Sequence, residues 1–249
     1  MKWTVELEQL ALKLKNEDGL TYIQVAEQLG TTLSSIKHKI RRLQQKQNLD
    51  KYKHTEEKSE QACKYLPQLQ NPRILETHAG FGGMTQYYSK YGHTTSLELK
   101  EERVEAVRKC RLPNNQVIQC DSEEYMYRLI SRRVRYDVID LDPYGYPSRY
   151  FPHVFKLMND GILFVTLPMI GVAQINKITI AHLSSFWGVD YRDTSSYLET
   201  VISRMTEYAF MHKKRITLLE SPKFGRIYRL VIKVESVSLN DLVGLKVNR

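Results

Sequence analysis

Two apolar runs near the end of the chain, Arg215–Glu220 and Tyr228–Val234, are separated only by Ser221-Pro222-Lys223-Phe224-Gly225-Arg226. A parallel return needs a long crossover, so two strands joined this closely must run antiparallel. Upstream the pattern is different. Short apolar runs at Arg73–Thr77, Thr94–Leu97, Gln116–Gln119, Tyr136–Leu141 and Gly161–Leu167 alternate with amphipathic stretches of helical period. That alternation predicts parallel strands with helices on both faces. The expected fold is therefore α/β: a seven-stranded sheet of five β-α units closed by an antiparallel hairpin.

Residues 1–48 read differently again, as helix throughout, and a polar, charge-mixed stretch from Gln44 to Lys58 follows as a linker or an exposed helix end. The predicted organisation is a small all-α module over 1–48, a linker and lead-in helix over 49–72, and the α/β domain over 73–249. A chain of 249 residues with 42% hydrophobic residues has room for one medium core plus a small one.

With 37 basic against 28 acidic residues the net charge is +9, which makes a polyanion the first partner to consider. Cys63, Cys110 and Cys120 share no metal-like spacing and are expected as reduced thiols, with no metal site. The longest apolar run, Gly161 to Ile175, is too short to span a bilayer and is broken by Pro168. The opening Met1-Lys2-Trp3-Thr4-Val5-Glu6 has no apolar signal core. No membrane association and a cytoplasmic location are expected.

In the N-terminal module, Thr21 to Leu43 has the pattern of a helix-turn-helix. Ala26 lets two helices approach, and Gly30 suits a left-handed turn. Val25, Leu29, Ile36, Ile40 and Leu43 fall at helical spacing and are expected to form a core with Leu7, Leu10 and Leu14. The second helix, from about Leu33, would expose Ser34, Ser35, Lys37, His38, Arg41 and Arg42, side chains suited to phosphates and base edges. The same apolar spacing would serve a trihelical module that binds protein. The opening Trp3-Thr4-Val5-Glu6-Leu7-Glu8-Gln9-Leu10 resembles Myb-like and sigma-factor-like DNA-binding modules.

The stretch Ile74 to Met84 reads as strand, glycine-rich turn and helix, with Gly80, Gly82 and Gly83 where the backbone must turn sharply against a ligand. Glu98 follows the second strand, where an acidic group can take ribose hydroxyls. Asp121 follows the third, placed to accept from an adenine amino group. This constellation resembles the first three motifs of the Rossmann-like S-adenosylmethionine-dependent methyltransferases, with Glu76 in place of the usual Asp and His78 where many members have glycine. The resemblance implies S-adenosyl-L-methionine as cofactor, held by Glu76, His78, Ala79, Gly80, Phe81, Gly82, Gly83, Glu98, Asp121, Ser122 and Asp140. The terminal hairpin agrees with that family. A nicotinamide enzyme would continue with β-α units and would want G-x-G-x-x-G, whereas the residue three beyond Gly82 is Thr85.

After the fourth strand comes Asp140-Leu141-Asp142-Pro143-Tyr144-Gly145. Taken alone, Asp-Pro with Gly nearby is a turn or a helix cap. In this context it resembles the Asp-Pro-aromatic signature of methyltransferases acting on exocyclic amino groups of bases. There the Asp142 carboxylate and the Pro143 carbonyl would accept the amino hydrogens and Tyr144 would stack on the base. The string departs from the Asp-Pro-Pro-Tyr of amino DNA methyltransferases and is closer to the Asp-x-Asp-Pro-aromatic-Gly of tRNA guanine dimethyltransferases. Between the fifth strand and the hairpin, about Met169 to Lys214, lie Phe186-Trp187-Gly188-Val189-Asp190-Tyr191 and a helix-like Ser195–His212. Trp187 and Tyr191 would stack on a base or pack the insertion onto the sheet, and the run His212 to Arg215 would touch phosphates or end a solvated helix.

The expected function is methylation of an exocyclic amino group on a nucleic-acid base. Duplex DNA is preferred on the strength of the N-terminal module. A tRNA guanine-amino methyltransferase is the alternative, and a DNA-binding regulator with a non-catalytic methyltransferase fold is a third reading.

Overall fold

Successive side chains of a strand point to opposite faces, and because both faces are covered here the central strands are buried almost continuously. A computed structural model describes residues 3–16, 18–51, 54–168, 197–225 and 227–238. The chain divides into two compact units, Met1–Lys53 and His54–Arg249.

The second unit is built on eight strands: β1 Arg73–Glu76, β2 His93–Glu98, β3 Asn115–Gln119, β4 Tyr136–Leu141, β5 Met158–Pro168, β6 Lys214–Glu220, β7 Lys223–Phe224 and β8 Ile227–Ser236. Their order is β3-β2-β1-β4-β5-β8-β6, with β7 paired to β8. The pairs among β1 to β5 are parallel, while β8 is antiparallel to both β5 and β6. This is the Rossmann-like methyltransferase sheet with its terminal hairpin. The connection expected as a plain turn contains the extra two-residue strand β7, folded back on β8 through Gly225 at φ 56°.

On one face Leu75, Ile139, Leu163, Val165, Leu230 and Ile232 form a core with Met126 and Leu129 of α7 (Ser122–Ser131), Phe151, Val154 and Phe155 of α8 (Phe151–Leu157), and Val201 and Met205 of α9 (Tyr197–Met211). On the other, Ile74, Val138, Ile162, Phe164 and Val231 meet Ala62 and Tyr65 of α4 (Thr55–Tyr65) and Tyr88 of α5 (Thr85–Tyr91). A further helix, α6, spans Glu101–Lys109. Two glycines mark close backbone approaches: a Cβ at Gly92 would lie 2.0 Å from the Pro72 carbonyl oxygen, and one at Gly161 would lie 1.8 Å from that of Asp137. Gly161 sits beside the register shift between Tyr136 and Val138, where β5 starts earlier than its apolar run suggests.

The first unit holds α1 Val5–Asn16, α2 Tyr22–Gln28 and α3 Leu33–Lys51. A reciprocal capping box between Thr21 and Gln24 starts α2, and Gly30, at φ 61°, makes the turn into α3. The core is Ala11, Leu14, Val25, Ala26, Ile36 and Ile40. Leu10, expected inside, is 42% exposed, and its neighbour Ala11 is buried instead. Leu14 is buried as expected, and the small Ala11, three residues before it, lets the helices close at that contact. The stretch from Gln44 to Lys58, expected as a linker or a helix end, holds the end of α3, which runs on to Lys51, and the start of α4 at Thr55. Among the described residues no helix is long and apolar enough to cross a membrane. Trp187, Tyr191 and the start of the predicted Ser195 helix lie outside the described residues.

Candidate functional site

Four parallel strands end on the same side of the sheet, and hydrogen bonds lace those ends together. Thr77, just after β1, donates from both its amide and its hydroxyl to the Asp140 carbonyl of β4, at 3.0 and 2.8 Å. The Ala79 amide donates to the Leu97 carbonyl of β2 at 2.9 Å, and the Ser122 hydroxyl donates to the Thr77 carbonyl. The turn after β1 is thus held against the ends of β2, β3 and β4, in the crevice where open α/β sheets take their ligands.

Within that turn Gly80 has φ 56° and open space where a Cβ would stand, while Gly82 has φ 84° and a Cβ there would lie 3.1 Å from Val107 of α6. Gly80 is therefore free for a ligand to approach, and Gly82 is needed for packing. Gly83 follows at the entrance to α5, and Phe81 is half-buried beneath the Arg103 guanidinium, 5.4 Å from its ring centre. Glu98 is buried. Its carboxylate accepts from the amides of Gly80 at 2.9 Å and of Leu99 and Lys100 at 3.0 Å each. A carboxylate offers about four acceptor positions, so these bonds leave room for one further hydroxyl rather than the pair expected.

His78 shares a hydrogen bond with the Thr77 hydroxyl at 2.8 Å and another with the Tyr150 hydroxyl at 3.1 Å. Arg149 donates to the same Tyr150 hydroxyl at 2.7 Å and lies 3.7 Å from Asp121. Burial lowers the imidazole to about 4 against the upward pull of Asp142 and Asp140, so His78 is neutral at pH 7.

Three of the expected donor-site residues are engaged in holding the fold. Asp121 caps α7, accepting from the amides of Glu123 at 2.9 Å and Glu124 at 3.1 Å. Glu76 is buried beneath α5 and accepts from the hydroxyls of Thr85 at 2.6 Å and Ser96 at 2.8 Å. Burial raises its carboxyl to about 7. Asp140 is sealed in the sheet, its two oxygens taken by a forked pair from Arg229 at 2.7 and 2.8 Å, with the Tyr88 hydroxyl on Oδ2 at 2.5 Å. Facing the crevice, as its expected cofactor role requires, is excluded for that side chain by its own burial.

The residues Glu76, Asp140, Thr166 and Arg229 form a polar row across the face covered by α4 and α5, with Glu76 beside Asp140 and Thr166 beside Arg229 in register. Asp142 lies just beyond this row and is paired with Lys58 of α4. Its side chain is 27% exposed, while that of Lys58 is 7% exposed. Burial opposes the charge on Asp142, but Lys58 and Arg229 outweigh it and hold the carboxyl well below the ordinary carboxylate range. Pro143 is half-buried, Tyr144 is fully exposed, and Gly145 takes φ 109° to turn the loop.

Lys58 and Arg229 complete this end of the sheet without having stood out in the sequence. Lys58 lies in a stretch whose composition reads as linker, and Arg229 interrupts an apolar strand where one polar residue reads as a solvent-facing position. The long apolar run on both sides of Arg229 was the available signal that the position is interior.

In the first unit Ser34, Lys37, His38, Arg41 and Arg42 are exposed on α3, and Ser35 is half-buried. Trp3, Ser35, His38, Lys39, Arg41 and Arg42 line one surface cleft. Lys39 is less available than its neighbours, being paired with Glu8 and set over the Trp3 ring at 5.2 Å. In the run His212 to Arg215 the first two residues close the end of α9, their amides donating to the carbonyls of Ala209 at 2.9 Å and Phe210 at 3.0 Å. The run then turns into β6, where Lys214 lies 3.4 Å from Asp160 and Arg215 3.4 Å from Glu235.

The sheet order and the loops at its carboxyl end define a methyltransferase fold, and solved structures share it. Trm1 from Pyrococcus horikoshii, in complex with S-adenosyl-L-methionine, has a TM-score of 0.56 and 15% identity, covering 73% of this chain and 55% of its own. Trm5b from Pyrococcus abyssi has a TM-score of 0.50 and 14% identity, covering 68% of this chain and 46% of its own. The chain thus spans about half the length of these neighbours. No family model matches the sequence. No curated protein matches it.

Proposed function

We propose that this chain is an S-adenosylmethionine-dependent methyltransferase acting on an exocyclic amino group of a nucleic-acid base, with tRNA as the substrate class. The observation that carries the reading is the meeting of an open glycine turn at Gly80, the Glu98 carboxylate and the Asp142-Pro143-Tyr144 loop at one end of the sheet. The donor fits that end, since Gly80 leaves space for close approach and Glu98 keeps acceptor capacity for a ribose hydroxyl. The donor bound in the Trm1 structure of the same fold supports its choice. When bound, S-adenosylmethionine supplies a methyl group on a sulfonium that departs as a neutral sulfide.

The protein's task is then alignment. A base amino group is a poor nucleophile because its lone pair is delocalised into the ring. Asp142 and the Pro143 carbonyl accept its hydrogens and draw the nitrogen toward tetrahedral geometry. The exposed Tyr144 ring gives the base a face to stack on. The preference for tRNA reverses the expectation of duplex DNA, which rested on the N-terminal unit alone. The reaction loop itself favours tRNA, because Asp140 to Gly145 resembles the tRNA guanine dimethyltransferase signature. A DNA reading keeps one supporting observation, the exposed basic face of α3.

Calorimetry with the donor tests the cofactor assignment. The wild-type chain should bind it, and Glu98→Ala should raise the dissociation constant about tenfold or more, the worth of one charge-assisted hydrogen bond. A folded wild-type chain giving no heat with donor or demethylated donor contradicts the reading.

A further inference from the structure

The Asp142 carboxylate stands near two other carboxyls and is partly withdrawn from water. Asp140 is two residues before it, Glu76 lies next to Asp140 in the sheet, and both NH1 and NH2 of Arg229 are used on Asp140. His78, whose imidazole senses the Asp142 charge, is neutral at pH 7. Arg229 acts on Asp142 from behind Asp140, and Lys58 is the cation that contacts Asp142 among the described residues. A lysine is rarely buried unless paired, and one turn from the start of α4 it gains nothing from the helix dipole. Its burial is accounted for by the carboxylate it meets. A carboxylate drawn out of water without a partner takes up a proton, and a protonated carboxyl with its hydrogen toward the base would donate where it must accept.

We propose that Lys58 is a positioning residue for methyl transfer, which fixes the Asp142 carboxylate and keeps it ionised to receive the target amino group. The proposal rests on the functional reading above, in which Asp142 meets the substrate. As the amino nitrogen attacks the methyl carbon and the carbon–sulfur pair returns to sulfur, the nitrogen sheds a proton to Asp142 and from there to solvent. Lys58 keeps its own protons throughout and contacts neither reacting atom.

The test uses the full chain with Asp carboxyl carbons labelled for NMR, the Asp142 signal being identified by its loss in Asp142→Asn. In Lys58→Gln that carboxyl should titrate at higher pH than in the wild type. On an unmodified tRNA transcript kcat should fall about tenfold or more, with the KM for S-adenosylmethionine unchanged. The acid limb of the pH profile should move to higher pH, since activity needs the ionised form. Lys58→Arg should restore both. Wild-type kcat and pH profile in Lys58→Gln, or an unmoved Asp142 titration in a folded variant, overturns the proposal. The titration needs no substrate, so a wild-type chain that methylates no nucleic acid would sink the functional reading, and the catalytic half of this proposal with it, while the ion pair is judged separately.

Discussion

Glu76 and His78 are two residues apart and displaced in opposite directions. Burial lifts Glu76 from an ordinary 4.5 to about 7 and lowers His78 from 6.5 to about 4. Between those limits folded Glu76 holds a proton that the unfolded chain has released, so its contribution to stability falls as pH rises from 4.5 to 7. Unfolded His78 holds a proton that the folded one lacks, so its contribution rises from pH 4 to 6.5. The two slopes oppose each other across most of that window. Relative to wild type, Glu76→Gln should gain stability as pH rises through it and His78→Asn should lose it, each by up to roughly 1.4 kcal/mol per pH unit. Urea unfolding at several pH values measures this, and parallel curves for all three proteins would contradict the burial assigned to the pair. Residue types at the crevice were legible in the sequence, because glycines and acids after strands point to ligand contact. Their partners were not. Glu76 and Asp121 have the right chemistry for a donor, yet hydroxyls brought in by a neighbouring strand and helix take Glu76, and the amides of the helix it caps take Asp121.

The glycine turn divides its work between two positions that look alike in sequence. Gly82 packs against Val107 of α6, whereas Gly80 faces open space beside Glu98. Gly82→Ala should therefore lower stability by about 1–3 kcal/mol through left-handed strain and crowding. Gly80→Val should suffer the strain too, but its larger effect is to block the donor. Thermal unfolding and donor calorimetry on both variants separate the two roles, and equal donor affinity in Gly80→Val and Gly82→Ala would remove Gly80 from the site. Strands were legible because apolar runs of fixed period must lie in a two-faced sheet. The helix α4 was harder to see. Its sequence is rich in Glu, Gln and Lys, and its buried residues include Lys58, Ser59 and Gln61, so hydropathy gives no stripe.

The two units have separate cores, and their proposed tasks differ: donor and chemistry in His54–Arg249, nucleic-acid contact through α3 in Met1–Lys53. Removing residues 1–53 should leave a folded chain that binds the donor. Its affinity for tRNA should drop and its salt dependence flatten, because Lys37, Arg41 and Arg42 no longer neutralise phosphates. Salt-titrated binding identical with and without the segment would take nucleic-acid contact away from α3. The most direct measurement is methyl transfer itself: labelled S-adenosylmethionine with separate pools of unmodified tRNA and duplex DNA, using wild type and Asp142→Ala. Label is expected on a base amino group of tRNA. In Asp142→Ala, turnover should fall by orders of magnitude while donor affinity is kept. Label on DNA alone, or undiminished turnover in Asp142→Ala, would contradict the proposed function.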